Sequence, residues 1–195
     1  MSIHFLVEKP NTASILIEAM AASLQEQGYR STSTTQILAT TGVSRGSLYF
    51  HFPDGKEALA VAAVHASGSV VATWIAAEFS AGPDAATASG RLIDGFAMAL
   101  GASEFTKGCP VALCALEAGP KEPKLQVAIG TVYSDWSLAI RTGLVANGVD
   151  ASAAAQLAQL ALIQIEGALL LARATKSLTP MTLAKDALIQ AIGEA

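Results

Sequence analysis

Arg45, Gly46 and Ser47 follow directly on the tight stretch Gly42-Val43-Ser44, and here residue type and spacing could do specific chemistry. At a helix start an arginine presents a planar fork of donors that matches the O6 and N7 acceptors of guanine, worth about 1 to 3 kcal/mol of discrimination. Glycine beside it lets the backbone approach a surface, and the serine hydroxyl can donate or accept. An isolated arginine is more often a solvated side chain, so the setting of Arg45 has to decide between the two readings. Other chemistries find little support. His4, His51 and His65 lack metal-ligand spacing, and no nucleophile stands with a placed base, so no metal, cofactor or enzymatic activity is implied. Cys109 and Cys114 have no partner cluster of Cys or His, which gives neither a disulfide framework nor a zinc site. Cys109 precedes Pro110 at a helix start, where the helix dipole favours a thiolate; redox sensing is one reading and an inert buried thiol the other.

Such residues need elements to hold them. The 195 residues are 52% hydrophobic and only 14% charged, with much of the apolar share carried by alanine, which predicts an all-helical fold. Ile15, Leu16, Ala19, Met20, Ser23 and Leu24 recur at helical steps up to Gly28. Ser33 can cap a short helix over 34–41 that Gly42 stops, and Ser44 can cap another from 45 to 50 or 51. Two short helices around a glycine turn, behind a longer first one, form the helix-turn-helix pattern. Pro and Gly breakers divide the rest into helices over 56–79, 85–104, 110–118, 123–146, 151–173 and 180–192. The reading is a head over residues 1–55 on a six-helix body over 56–195. The most apolar stretch, 157–172, is interrupted by Gln159, Gln164 and Glu166, so no membrane-spanning helix is expected. Residues 1–10 mix His4, Glu8 and Lys9 among apolar residues, unlike a secretory signal, and a cytoplasmic address follows.

The segment 28–59 resembles the DNA-binding signature of the tetracycline-repressor (TetR) family in Tyr29, Ile37, Gly42-Val43-Ser44, Gly46, Leu48-Tyr49, His51-Phe52 and Lys56. The resemblance implies that Arg45, Gly46 and Ser47, with Thr35 from the preceding helix, face DNA bases. It implies that Thr34, Ser44, Tyr49, His51 and Lys56 hold phosphates, which sets register without reading sequence. Ile37, Val43, Leu48 and Phe52 read as core. Tyr49 and His51 alternate with Phe50 and Phe52, so a small aromatic core is the bland alternative for them. Three residues separate Phe52 from Lys56, which is similar to the LmrA/YxaF-like branch, as is Gly108-Cys109-Pro110. The family further implies a homodimer on a palindromic operator, released by a small-molecule effector. The charge is adverse: the net charge is −4, and residues 1–65 hold only Lys9, Arg30, Arg45 and Lys56 against five acids. Non-specific DNA affinity is then weak and salt-sensitive.

For the effector, an apolar pocket with few polar groups is expected. Trp74, Phe79, Phe96, Phe105, Tyr133 and Trp136 are candidates to line it, together with Cys109 and Gln164, although any of them can also be plain core. The middle helices carry no charged cluster, which suggests a neutral or aromatic ligand anchored by Gln164 or Glu166. The uncharged, Ala- and Leu-rich helix over 151–173 and the one after it are the expected dimer seam. The rival reading is a small-molecule carrier that kept the fold and lost DNA binding.

Overall fold

The computed structural model describes residues 11–195; residues 1–10, and with them the reading of that segment as no secretory signal, lie outside. Among the described residues the chain forms nine helices and no strand: α1 (Thr12–Ser31), α2 (Thr34–Thr41), α3 (Arg45–His51), α4 (Lys56–Ala81), α5 (Ala85–Ala102), α6 (Pro110–Glu117), α7 (Pro123–Ala146), α8 (Ala151–Thr175) and α9 (Thr179–Gly193).

Local chemistry sets most of the boundaries. Asn11, Ser33, Ser44, Asp84 and Asp150 each accept a hydrogen bond from a backbone N–H in the first turn of the helix they precede. Gly42 closes α2 in the left-handed conformation and returns its N–H to the Leu38 carbonyl. Most boundaries fall within about two residues of expectation, and two of the differences have a cause in the backbone. Gly28, at φ +77°, does end the regular part of α1, but one further turn through Ser31 follows the kink. The helix over 85–104 stops at Ala102, because Glu104 and Phe105 adopt left-handed backbone at φ 52° and 60° without glycine to announce it.

The body is organised on α4 and α7, which pack along their lengths, with α5 and α9 against each other on one side and α8 joining α7 to α9. The seam between α4 and α7 depends on close approach. A Cβ on Gly68 would stand 2.6 Å from Val132 Cγ2, and one on Gly143 would stand 2.2 Å from the Phe79 ring. Trp136 donates its indole N–H to the Gly68 carbonyl at 2.8 Å across the same seam. Contrary to the expectation from interrupted apolar runs, α4 and α8 are long and apolar enough by length and composition to span a membrane. In this fold each gives a stripe to the core instead: Leu59, Ala63, Val64 and Ile75 from α4, and Leu157, Ala161, Ile165 and Ala168 from α8.

Candidate nucleic-acid interface and effector chamber

Helix α3 is short and is held from inside by Leu48 and from its end by Phe52, both buried, while Ile37 of α2 fills the space between. Ser44 Oγ accepts from the Ser47 N–H at 3.1 Å, fixing the first turn on which Arg45 and Gly46 stand exposed. The Arg45 guanidinium lies 5.7 Å from the Tyr49 ring centroid, one turn along the same face. Thr35, Ser44, Tyr49 and His51 are also exposed, and Thr34 and Ser47 are half-buried. Tyr49 and His51 therefore cap no aromatic core; Phe52 alone goes inside. Phe50 is 82% exposed, an apolar ring set three and four residues beyond Ser47 and Gly46 on the presented face of α3. The sequence reading missed it, although the four-residue step from Leu48 to Phe52 was a signal that Phe50 must point elsewhere.

Lys56 is not a free surface cation. Its Nζ stands 4.2 Å from the Tyr29 ring centroid and donates to the Arg30 carbonyl at 3.5 Å. Burial pulls its pKa down, and the carboxylates of Glu117 and Glu122 oppose that shift. Burial pushes the Tyr29 hydroxyl the other way, to about 12, with Glu122 and Glu57 adding to the effect. These residues belong to a joint between the first three helices and the body. Glu117, at the end of α6, accepts from the Arg30 N–H at 2.7 Å, and its carboxylate oxygens lie 2.8 Å from where a Cβ on Gly28 would stand. The left-handed turn at Gly28 thus opens the space that Glu117 fills. On the other side Glu57 accepts from the Lys124 and Leu125 N–H groups at the start of α7, and Lys124 pairs with Asp54.

Beneath this joint lies a cavity of about 430 Å³ between α4, α5, α7 and α8, closed by Gly108-Cys109-Pro110 and reached by Gln25 of α1. Of the residues singled out in the sequence, Trp74, Phe96, Cys109 and Trp136 line it. The other four proposed lining residues fall outside. Phe79 is consumed by the seam against Gly143, Phe105 sits on the left-handed turn after α5, and Gln164 lines neither cavity. Tyr133 lines a neighbouring cavity of about 320 Å³, which shares Cys109 and Glu166 with the first. Trp74 and Phe96 meet edge-to-face at 4.9 Å, and Tyr133 and Trp136 do so at 5.5 Å.

Glu166 is the acidic group of this region. Its Oε1 accepts from the Tyr133 hydroxyl at 3.2 Å, whereas Oε2 is buried without a partner. Burial raises its pKa, and the bonds from Cys109 and Tyr133 pull it back only in part. The same burial, with the Glu166 carboxylate beside it, pushes the Cys109 thiol well up, and its sulfur serves as the cap of α6 by accepting from the Ala112 N–H at 3.4 Å. The dipole-stabilised thiolate entertained from the sequence is not what this setting favours: burial outweighs the helix start. Cys114 is likewise pushed up to about 12 by burial.

The two halves of the chain match different family models. Residues 16–63 match bacterial regulatory proteins of the tetR family, and residues 85–187 match the C-terminal domain of transcriptional regulators described as LmrA/YxaF-like. A helix-turn-helix-type regulator of Mycobacterium tuberculosis is 33% identical over 173 residues, covering 86% of this chain and 87% of its own. The regulator LmrA of Bacillus subtilis is 31% identical over 166 residues, covering 85% and 88%. Among solved structures, a TetR regulator from Legionella pneumophila superposes with a TM-score of 0.81 at 23% identity, covering 94% of this chain and 98% of its own. A cysteine mutant of the TetR-family regulator CifR, solved with double-strand operator DNA, superposes at 0.75 and 19% identity, covering 95% and 97%. With a head that displays Arg45 on a capped short helix, a body built around an aromatic cavity, and relatives matching over most of their length, the chain belongs to the TetR family of transcriptional regulators, in its LmrA/YxaF-like branch.

Proposed function

We propose that the chain acts in the cytoplasm as a homodimeric repressor, which grips a palindromic operator through α3 and lets go when a small molecule fills the chamber. The observation that carries the DNA half is the exposed face of α3, where Arg45 and Phe50 are presented to solvent on a helix fixed by Ser44, Leu48 and Phe52. Arg45 suits a guanine edge, and the Phe50 ring suits the methyl group of thymine. Thr35, Gly46 and Ser47 complete the base-facing set. Thr34, Ser44, Tyr49, His51 and Lys56 hold the backbone, with Lys56 acting from within the joint. The chamber half is supported by Trp74, Phe96 and Trp136 around a volume suited to a small organic molecule.

The dimer is supported by the outer faces of α8 and α9, where Ile163, Leu170, Leu171 and Leu183 are all more than half exposed. The test is fluorescence anisotropy with duplexes tiling the DNA upstream of the chain's own gene, titrated with salt. We expect one duplex to bind at least about a hundredfold tighter than the rest, with the steep salt dependence of several phosphate contacts. Uniform weak binding to every duplex would instead favour the carrier that kept the fold and lost the grip.

A further inference from the structure

We infer that the chamber takes a hydrophobic cation, an aromatic amine whose ammonium pairs with the Glu166 carboxylate while its rings lie among Trp74, Phe96 and Trp136. The inference rests on the reading of this cavity as the effector site and adds the class of the effector. It follows from which donors and acceptors are already spent. The indole N–H of Trp74 donates to Glu78 Oε1 at 3.0 Å and that of Trp136 to the Gly68 carbonyl at 2.8 Å, so both rings turn only their π systems to a ligand. The Tyr133 hydroxyl donates to Glu166 Oε1, and the Cys109 sulfur accepts from the Ala112 N–H while its thiol, a weak donor, is turned to the same carboxylate. Of the remaining polar lining, Lys107 is exposed and faces Glu26 at 3.8 Å, and Gln25 and Ser67 are neutral.

What remains unspent and buried is an acceptor, Glu166 Oε2. A carboxylate oxygen withdrawn from water without a donor is costly, and a ligand N–H at this place removes the cost. The positive charge gains twice, from the carboxylate and from the aromatic faces around it. A ligand carrying its own carboxylate or phenolate would set like charge against Glu166, and a ketone would add a second acceptor to the first. The neutral or aromatic ligand expected from the sequence followed from the lack of a charged cluster; one buried carboxylate makes no cluster, yet it decides the polarity of the site.

Isothermal titration of the full chain at pH 7 with 2-naphthylmethylamine, protonated there, and with 2-naphthylmethanol, its neutral counterpart of equal size, separates the claims. Quenching of Trp74 and Trp136 fluorescence reports that the chamber is the place of binding. We expect the amine to bind at least about tenfold tighter than the alcohol, and Glu166→Gln to bring the two within about twofold of each other. Equal affinities in the unmodified protein, or an amine preference that survives Glu166→Gln, would overturn the charge pairing while leaving the chamber as an effector site. Binding of neither compound would overturn the chamber reading and this inference together. The comparison of amine with alcohol in the unmodified protein needs no variant, so it decides the matter even where Glu166→Gln folds poorly.

Discussion

Single residues divide the work of recognition in ways that measurement can separate. If Arg45 reads a base as proposed, Arg45→Ala relaxes discrimination at one operator position by about 1 to 3 kcal/mol. Lys56→Ala is expected to weaken all sequences alike and to lower the salt slope by about one per half-site. Phe50→Ala should cost affinity while leaving the salt slope unchanged, since an apolar contact releases no counterion. Anisotropy titrations at several salt concentrations check all three, and identical behaviour of the Arg45 and Lys56 variants would refute their roles. Arg45 was legible from the sequence because its setting is local: Ser44 caps, Gly42 turns, and the helix start follows. Phe50 was not, because a run of four aromatic residues reads as a cluster until the helical rotation of Leu48 and Phe52 toward the core is taken into account. Lys56 was legible as a cation but not as a half-buried one held in a joint, since Tyr29 and Glu117 reach it from distant parts of the chain.

At the scale of elements, most helix boundaries could be read from caps and breakers, whereas the sharing of faces between core and chamber could not. Phe79 and Trp74 lie on the same helix, yet Gly143 draws Phe79 into the α4–α7 seam and leaves Trp74 to the cavity. That choice depends on a glycine sixty-four residues away, which periodicity does not contain. The seam gives a prediction whose sign is decided by magnitude. In an open helix Gly68→Ala would gain up to about 1 kcal/mol from propensity. Here the new Cβ meets the stiff, buried Val132 side chain at 2.6 Å, and overpacking of this kind costs about 1 to 3 kcal/mol. Chemical denaturation should therefore show Gly68→Ala destabilised, with Val132→Ala in the same chain recovering part of the loss. A gain in stability for the single variant would show that the seam yields more easily than its geometry indicates. The joint at Gly28 belongs to the same scale, where α6 carries the chamber wall at Cys109 and Pro110 at one end and grips Arg30 through Glu117 at the other.

Family and fold were legible because one local signature and a row of breakers carry them. The proposed dimer face and chamber coupling depend on surfaces that only the folded chain brings together. Sedimentation at micromolar concentration is expected to show a species near twice the chain mass of 19.9 kDa, formed through Ile163, Leu170 and Leu183. The fold should also weaken in alkali. The thiols of Cys109 and Cys114 and the hydroxyls of Tyr29 and Tyr133 all have pKa values raised in the folded chain, so from about pH 9, where free thiols begin to ionise, the unfolded chain loses protons that the folded one retains. Stability is then intact below that pH and falls as pH rises toward about 12, the value for Tyr29. Denaturation midpoints measured from pH 9 upward check the direction.

Filling the chamber and gripping DNA are proposed to oppose each other, and reciprocity makes that opposition measurable from either side. A ligand that weakens operator binding tenfold must favour the released state by about 1.4 kcal/mol, and the operator must weaken the ligand by the same factor. The measurement is the affinity of 2-naphthylmethylamine for the chain, read by tryptophan quenching, with and without a saturating operator duplex. The operator is expected to weaken the amine at least about fivefold, and the amine to weaken the operator equally. Equal amine affinities in the two titrations would contradict it, because the chamber would then be occupied without any hold on the DNA grip.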